Sequence, residues 1–283
     1  MRINNSAICT QFTDFISDTI VQWVATRVLA VWGEVGVVPP PHLVLLITIE
    51  PSKPRLCHDE RFFFLWIRDL LFKLDHLSDL SRYVLSGHFQ ATFDEKSGYQ
   101  HVRLHPSSSE TYFGLEWENM FFVFRTLAFG WKASAFIYHN LALAVSHAAR
   151  SFRVPLSQYI DDRHVGQLFS LPARSFSPPS AQRAEAAAYI VCYILIEAGY
   201  FVNNGKSQCV SSTVVRFLGF LCDSLRQSFL ILPDKKTKFR SLRESILSSL
   251  VNQDLVNQDL ATFRGKGHHF LYFSHSWLQT LCP

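Results

Sequence analysis

Apolar residues recur every third or fourth position in some stretches of the chain and at shorter spacing in others, so helices and strands are both expected. Ile16, Ile20, Trp23, Val24 and Val28 fall on one face of a helix predicted over Phe15–Trp32, which Pro39, Pro40 and Pro41 stop. Leu43–Ile49 is a short β-rich run and predicts a strand. Tyr83–Phe93 reads as a connection and then a strand, and aromatic-rich Tyr112–Phe124 as a strand pair. Lys132–Arg150 predicts a helix with Ile137, Leu141, Ala144, Val145 and Ala148 on one side. Gln158–Phe169 carries Asp161, Asp162 and Arg163 between apolar ends, the pattern of a β-hairpin with acids at its turn. Ser170–Ser180, with three prolines and four serines, predicts an exposed loop. Ala181–Ala198 predicts a helix that Gly199 is placed to end. Val214–Leu221 and Ser228–Leu232 read as another strand pair. Lys235–Leu250 reads as a helix with Phe239, Leu242, Ile246 and Leu250 on one face.

The order lacks the regular strand–helix alternation of a doubly wound sheet. It fits an α+β fold, an antiparallel sheet backed by helices. Hydrophobic residues make up 48% of the 283 and charged residues 18%, enough to build a core and to exclude wholesale disorder. A net charge of +4 permits a nucleic-acid partner without demanding one. The six cysteines form no CxxC pair, which argues against a zinc knuckle or a dense disulfide framework and fits reduced thiols inside a cell, in cytoplasm or nucleus. No apolar signal core follows Met1-Arg2-Ile3-Asn4-Asn5. Ile20–Ile49 is broken by Arg27, Glu34 and the prolines, so the expectation is a soluble chain with no membrane partner.

Chemistry concentrates in three carboxylates from two places. Asp94 follows a predicted strand in Thr92-Phe93-Asp94-Glu95, and Asp161 and Asp162 sit in Tyr159-Ile160-Asp161-Asp162. Acids at a strand end and an adjacent turn suit magnesium, which takes oxygen ligands and keeps waters and substrate phosphates among them. Adjacent side chains of a strand point to opposite faces, a rule that a turn relaxes, and Asp162 is expected as the weaker ligand beside Asp161. By itself an Asp-Asp pair is more often a solvated turn. His268, His269 and His275 have no Cys or acid partner at metal spacing, and neither a GxSxG elbow nor a GxxxxGK[ST] loop occurs.

The order of three short phrases adds to this. Tyr159-Ile160-Asp161-Asp162 resembles the YxDD box of reverse transcriptases. Phe93-Asp94-Glu95-Lys96-Ser97-Gly98-Tyr99 resembles their first acidic motif, and Leu127-Ala128-Phe129-Gly130-Trp131-Lys132-Ala133-Ser134 resembles the LPxGxKxSP box between the two. The wording around them is most similar to the polymerase of DIRS-type retrotransposons, over residues 40–264. The resemblance implies a fingers and palm body over 40–232, after an N-terminal helical extension over 1–39. It implies a thumb-like remnant over 233–261 and an atypical tail over 262–283, as in a truncated or decayed copy.

It also implies roles. Asp94, Asp161 and Asp162, with the Glu95 carbonyl, would hold two magnesium ions. Tyr99 would be the steric gate against a 2′-hydroxyl, although a tyrosine on a strand is otherwise an ordinary core residue. Arg55, with Lys53 beside it, would clamp the triphosphate, and Phe129 and Gly130 would lie against nucleotide and template. Lys206 would protonate the leaving pyrophosphate, a role an exposed lysine need not have. Phe217-Leu218-Gly219-Phe220 resembles the hairpin that grips the primer end. The reaction would be RNA-directed DNA synthesis on a primed RNA or DNA template, with deoxynucleoside triphosphates and a partner supplying thumb or RNase H. A relic that only binds nucleic acid is the alternative. Ala128 stands for the usual proline and Phe64 for a usual asparagine. Val251–Leu255 is repeated as Val256–Leu260, and periodicity is lost after Phe263.

Overall fold

The computed structural model describes residues 1–51, 54–66, 68, 70–169 and 179–248. Lys53, most of the expected loop over 170–180, the repeat at 251–260 and the tail lie outside them. In chain order the elements begin with α1 (Thr13–Ala25), β1 (Leu29–Glu34), β2 (Ile47–Ile49), β3 (Leu56–His58) and α2 (Arg61–Phe64). Then come β4 (Gln90–Asp94), α3 (Pro106–Tyr112), β5 (Gly114–Trp117), β6 (Met120–Phe124) and α4 (Lys132–Ser151). The rest are β7 (Leu156–Tyr159), β8 (Asp162–Gly166), α5 (Ser180–Glu197), β9 (Gln208–Ser212), β10 (Val214–Phe217), β11 (Phe220–Asp223), β12 (Ser228–Ile231) and α6 (Pro233–Ser248). They form two compact units. The first takes Met1–Lys73 and Glu95–Ala144, the second Leu74–Asp94 and the chain from Val145 onward.

The first unit is built on an antiparallel sheet of order β1-β6-β5 and the hairpin β2–β3. Ile16 and Ile20 of α1 pack with Leu29, Leu45, Ile47, Leu115 and Phe124. The helix predicted to reach Trp32 ends at Ala25: Arg27 takes φ +60 and turns the chain, and Leu29–Glu34 pairs with Met120–Phe124 instead. The correction has a simple cause. Val28 to Trp32 satisfies either period over so short a run, and the apolar strand that claims it lies some ninety residues onward. Residues 1–39, expected as a helical extension, thus supply both a helix and a sheet strand to this unit. Of Leu43–Ile49 only Ile47–Ile49 is a strand; Val44 makes isolated bridges to Arg2 and Gly114.

The second unit holds an antiparallel sheet of order β7-β8-β4-β9 and a smaller one of order β10-β11-β12. The period of two sorts the first sheet into two faces. Ala91, Phe93, Leu156 and Val165 face one way and pack on Val145 and Ala149 of α4 and on Ala187, Ala188, Val191 and Leu195 of α5. The partners Asp94–Asp162, Thr92–His164 and Ser157–His164 lie on the other face. The expected strand Val214–Leu221 is itself a hairpin: Leu218 at φ +46 and Gly219 at φ +78 make a two-residue turn between β10 and β11. Among the described residues no helix is long and apolar enough to cross a membrane.

Candidate active site

Strand β7 ends at Tyr159 and β8 begins at Asp162, so Ile160 and Asp161 are the whole turn. Ile160 takes φ +55, a conformation that disfavours a β-branched residue. Gln158 Nε2 donates to the Ile160 carbonyl at 3.2 Å and holds the turn from below. Starting β8 at Asp162 puts its side chain on the same face as Asp94, its direct partner in the ladder. The sequence led both acids to be expected at the turn. Asp161 is in the turn, and Asp162 is the carboxylate that stands opposite Asp94.

Like charges directly opposite across strands repel. Burial, then the Asp161 and Asp94 carboxylates, push the half-buried Asp162 carboxyl up to about 7, and Lys206 pulls it partly back. Lys206 Nζ lies 3.3 and 3.4 Å from the two oxygens of Asp94. Asp94 is fastened from the same loop. Asn203 Nδ2 donates to Asp94 Oδ1 at 2.9 Å and the Asn203 N–H to the Asp94 carbonyl at 2.8 Å, while the Asp94 N–H donates to Ser207 Oγ at 2.9 Å. Asn203 and Ser207 were not singled out from the sequence. Their signal was local: Asn203-Asn204-Gly205 is turn-forming and immediately precedes Lys206.

On the buried face beneath, Arg163 is fully buried with its guanidinium 5.9 Å from the Tyr200 ring, and burial lowers its pKa to about 10. Two positions along β8 from Asp162, the fully buried His164 is driven down to about 3 by burial.

Among the described residues no three His, Cys, Asp or Glu side chains come together as a group that could hold a metal ion. The arrangement is a carboxylate pair, Asp94 and Asp162, with the Lys206 ammonium on Asp94. That donor set fits magnesium, which binds through one or two carboxylates and completes its shell with water and phosphate.

The first unit carries a second group of the expected residues. The Arg55 guanidinium sits 5.7 Å above the Phe129 ring, and the Phe129 and Tyr99 ring centroids are 5.3 Å apart. Tyr99 meets Tyr138 edge-on at 5.5 Å, and the Tyr138 hydroxyl donates to the buried Glu95 carboxylate. Phe129 is tied to β3 through its carbonyl, which accepts from the His58 N–H at 2.9 Å. Gly130, at φ +116, passes so close to the His58 carbonyl that a Cβ there would overlap it.

No family model matches the chain. It is 28% identical over 209 residues to protein P of duck hepatitis B virus (strain China), and 25% identical over 209 residues to protein P of the strain United States/DHBV-16. The chain spans about a quarter of the length of these relatives, 24% and 23%. Among solved structures, the foamy viral protease-reverse transcriptase in complex with double-stranded DNA matches 93% of the chain and 49% of its own length, at TM-score 0.65 and 16% identity. The same enzyme in complex with an RNA/DNA hybrid matches 87% of the chain and 31% of its own, at TM-score 0.65 and 20% identity. The chain folds as a reverse-transcriptase domain.

Within this reverse-transcriptase fold the expected residues divide between the units. Asp94, Asp161, Asp162 and Lys206 are gathered on one end of the four-stranded sheet of the second. Arg55, Tyr99, Phe129, Gly130 and Glu95 belong to the first. Beside the β10–β11 turn, Lys235 of α6 holds its Nζ 5.7 Å from the Phe220 ring.

Proposed function

We propose that this domain is an RNA-directed DNA polymerase that adds deoxynucleotides to a primer 3′-end. The observation that carries the reading is the Asp94–Asp162 register, with Asp161 in the adjoining turn and Lys206 on Asp94. Carboxylates gathered at the end of a sheet are a site for cations that arrive with a triphosphate. Two magnesium ions would be held by Asp94, Asp161 and Asp162, with the Glu95 carbonyl joining them by family resemblance. When bound, such ions neutralise phosphate charge and lower the pKa of the attacking hydroxyl.

The remaining work falls to the protein's own groups. Lys206, at 3.3 Å from Asp94, gives a proton to the leaving pyrophosphate. In the first unit, Arg55 over Phe129 presents a guanidinium for phosphate pairing, and the Tyr99 ring excludes a sugar with a 2′-hydroxyl. The β10–β11 turn holds the primer end. The likeness to an enzyme solved on double-stranded DNA and on an RNA/DNA hybrid supports these duplexes as the substrate class. The wording around the motifs supports an origin in a DIRS-type retrotransposon.

Primer extension on an RNA template with deoxynucleotides and magnesium tests the reading. The intact chain extends the primer, and Asp161→Ala and Asp94→Asn abolish extension while leaving the fold intact. Salt-sensitive duplex binding without incorporation by the folded intact chain would replace the polymerase with a nucleic-acid-binding relic.

A further inference from the structure

Below the carboxylates, on the same face of the four-stranded sheet, lies a buried polar chain that the reaction does not require. His164 is two residues from Asp162 along β8, about 6.6–6.8 Å at the rise of a strand. Its Nε2 is 2.8 Å from Gln90 Oε1, and its Nδ1 is 2.9 Å from the Tyr83 hydroxyl. The Tyr83 hydroxyl is also 3.0 Å from Ser157 Oγ on β7. Gln90 Nε2 donates to the Thr213 carbonyl at 3.1 Å and the Cys222 carbonyl at 3.4 Å, at the foot of the β10–β11 hairpin.

These bonds fix one another. The Gln90 amide is oriented by its two carbonyl acceptors, so its oxygen faces His164 and Nε2 of the ring must donate. In a neutral ring Nδ1 is then the acceptor, and the Tyr83 hydroxyl donates to it, leaving Ser157 to bond Tyr83 through its own rotatable proton. Every member is buried, so each is held by its partners and not by water. The His164 ring also meets Phe217 edge-on at 5.3 Å, and Phe217 leads into the β10–β11 turn. Ser224 Oγ, just past β11, bonds back to the His88 carbonyl at 2.6 Å, just before β4.

We propose that Tyr83, His164 and Gln90 are positioning residues that couple the acid hairpin β7–β8 to the hairpin β10–β11. They fix the height of the Phe217–Phe220 turn against Asp162. This rests on the reading of that turn as the primer-end grip. A polymerase must hold a primer hydroxyl within a fraction of an ångström of its metal-bound carboxylates, and a strut shared by the two hairpins does so without touching substrate. An apolar core would fill the same volume without setting a register.

The test compares the intact chain with His164→Leu, His164→Gln, Gln90→Met and Tyr83→Phe. It measures extension kinetics and amide hydrogen exchange in each. His164→Leu and Gln90→Met lower kcat about tenfold or more with KM for deoxynucleotide within about twofold, because nucleotide contacts are not altered. They speed exchange in 214–223 while α5 keeps its protection. His164→Gln keeps one donor and one acceptor and restores most of kcat. Tyr83→Phe, which removes a single oxygen, serves if the larger changes prevent folding. A folded variant with intact kcat, or a loss of protection spread evenly over the unit, overturns the coupling. If the intact chain does not extend primers at all, the polymerase reading fails. Exchange in 214–223 then decides the strut alone, and unchanged protection in the Gln90→Met variant overturns it.

Discussion

Asp162 stands directly opposite Asp94 in the antiparallel pairing of β8 with β4. A carboxyl whose folded pKa lies near 7, against an ordinary 3.8, opposes folding when ionised. The stability that its protonated form allows is fully present below about pH 4, is lost as pH rises through 7, and is absent above. In chelator, Asp162→Asn should therefore stabilise the domain at pH 8 by about 1–2 kcal/mol, the full pKa shift being discounted for the screening of a half-buried group. The same change should do nothing at pH 4. Magnesium should raise the Tm of the intact chain at pH 8 and leave that of the variant nearly still. Calorimetry at three pH values, with and without magnesium, reads all of this, and equal melting of the two proteins at every pH would contradict the electrostatic account.

Asn203 fixes Asp94 through one side-chain and one main-chain bond. Asn203→Ala leaves the main-chain bond and removes the charge-assisted one, worth about 1.5–3 kcal/mol. If that bond orients Asp94 in the reacting complex, kcat falls about 10–100-fold. The half-saturating magnesium concentration rises, and the Tm falls by several degrees while the loop remains tied through Ser207. Asn203→Asp would add a like charge beside Asp94 and should be worse than alanine. Kinetics that survive both changes would remove Asn203 from the site.

Ile160 occupies the first position of the two-residue acid turn with φ +55. A non-glycine residue held there stores about 1–3 kcal/mol of strain. Comparing Ile160→Ala with Ile160→Gly isolates the backbone, since both delete the same apolar contact. Glycine is elsewhere the less stable of such a pair; here Ile160→Gly should be the more stable by about 1 kcal/mol. It should also be the slower enzyme, since a relaxed turn no longer fixes Asp161. Denaturant unfolding gives the first ordering and primer extension the second.

The acid hairpin was legible because its two carboxylates interrupt an apolar pattern. The pairing of Asp162 with Asp94 was not legible, since register depends on where β8 starts, and one residue of slip reverses every side chain. The first four residues of the strand Leu29–Glu34 were read as helix because its partner Met120–Phe124 is distant in sequence. The buried links of Tyr83, His164 and Gln90 join three segments separated by up to 81 residues, and each alone is an unremarked polar residue near a strand. The fold class emerged from periodicity and the site from motif order. The fastening of the site was set by tertiary contacts to which no local pattern points.

The Tyr99 ring is held from two sides, by Phe129 at 5.3 Å and edge-on by Tyr138 at 5.5 Å. Tyr138 is itself buried and bonded to Glu95, so one side of this stack is anchored in the first unit. If the Tyr99 ring faces the sugar of the incoming nucleotide, its bulk and not its hydroxyl sets the choice between deoxy- and ribonucleotides. Tyr99→Phe should then leave discrimination unchanged. Tyr99→Val should raise the relative kcat/KM for ribonucleotides by about 10–100-fold, the range that a modest change in pocket volume commands. The gain should appear in KM for the ribonucleotide, with deoxynucleotide incorporation little altered. Single-nucleotide incorporation assays on one primed template measure both ratios. A valine variant that still discriminates as the intact chain does would return Tyr99 to the role of an ordinary packing residue.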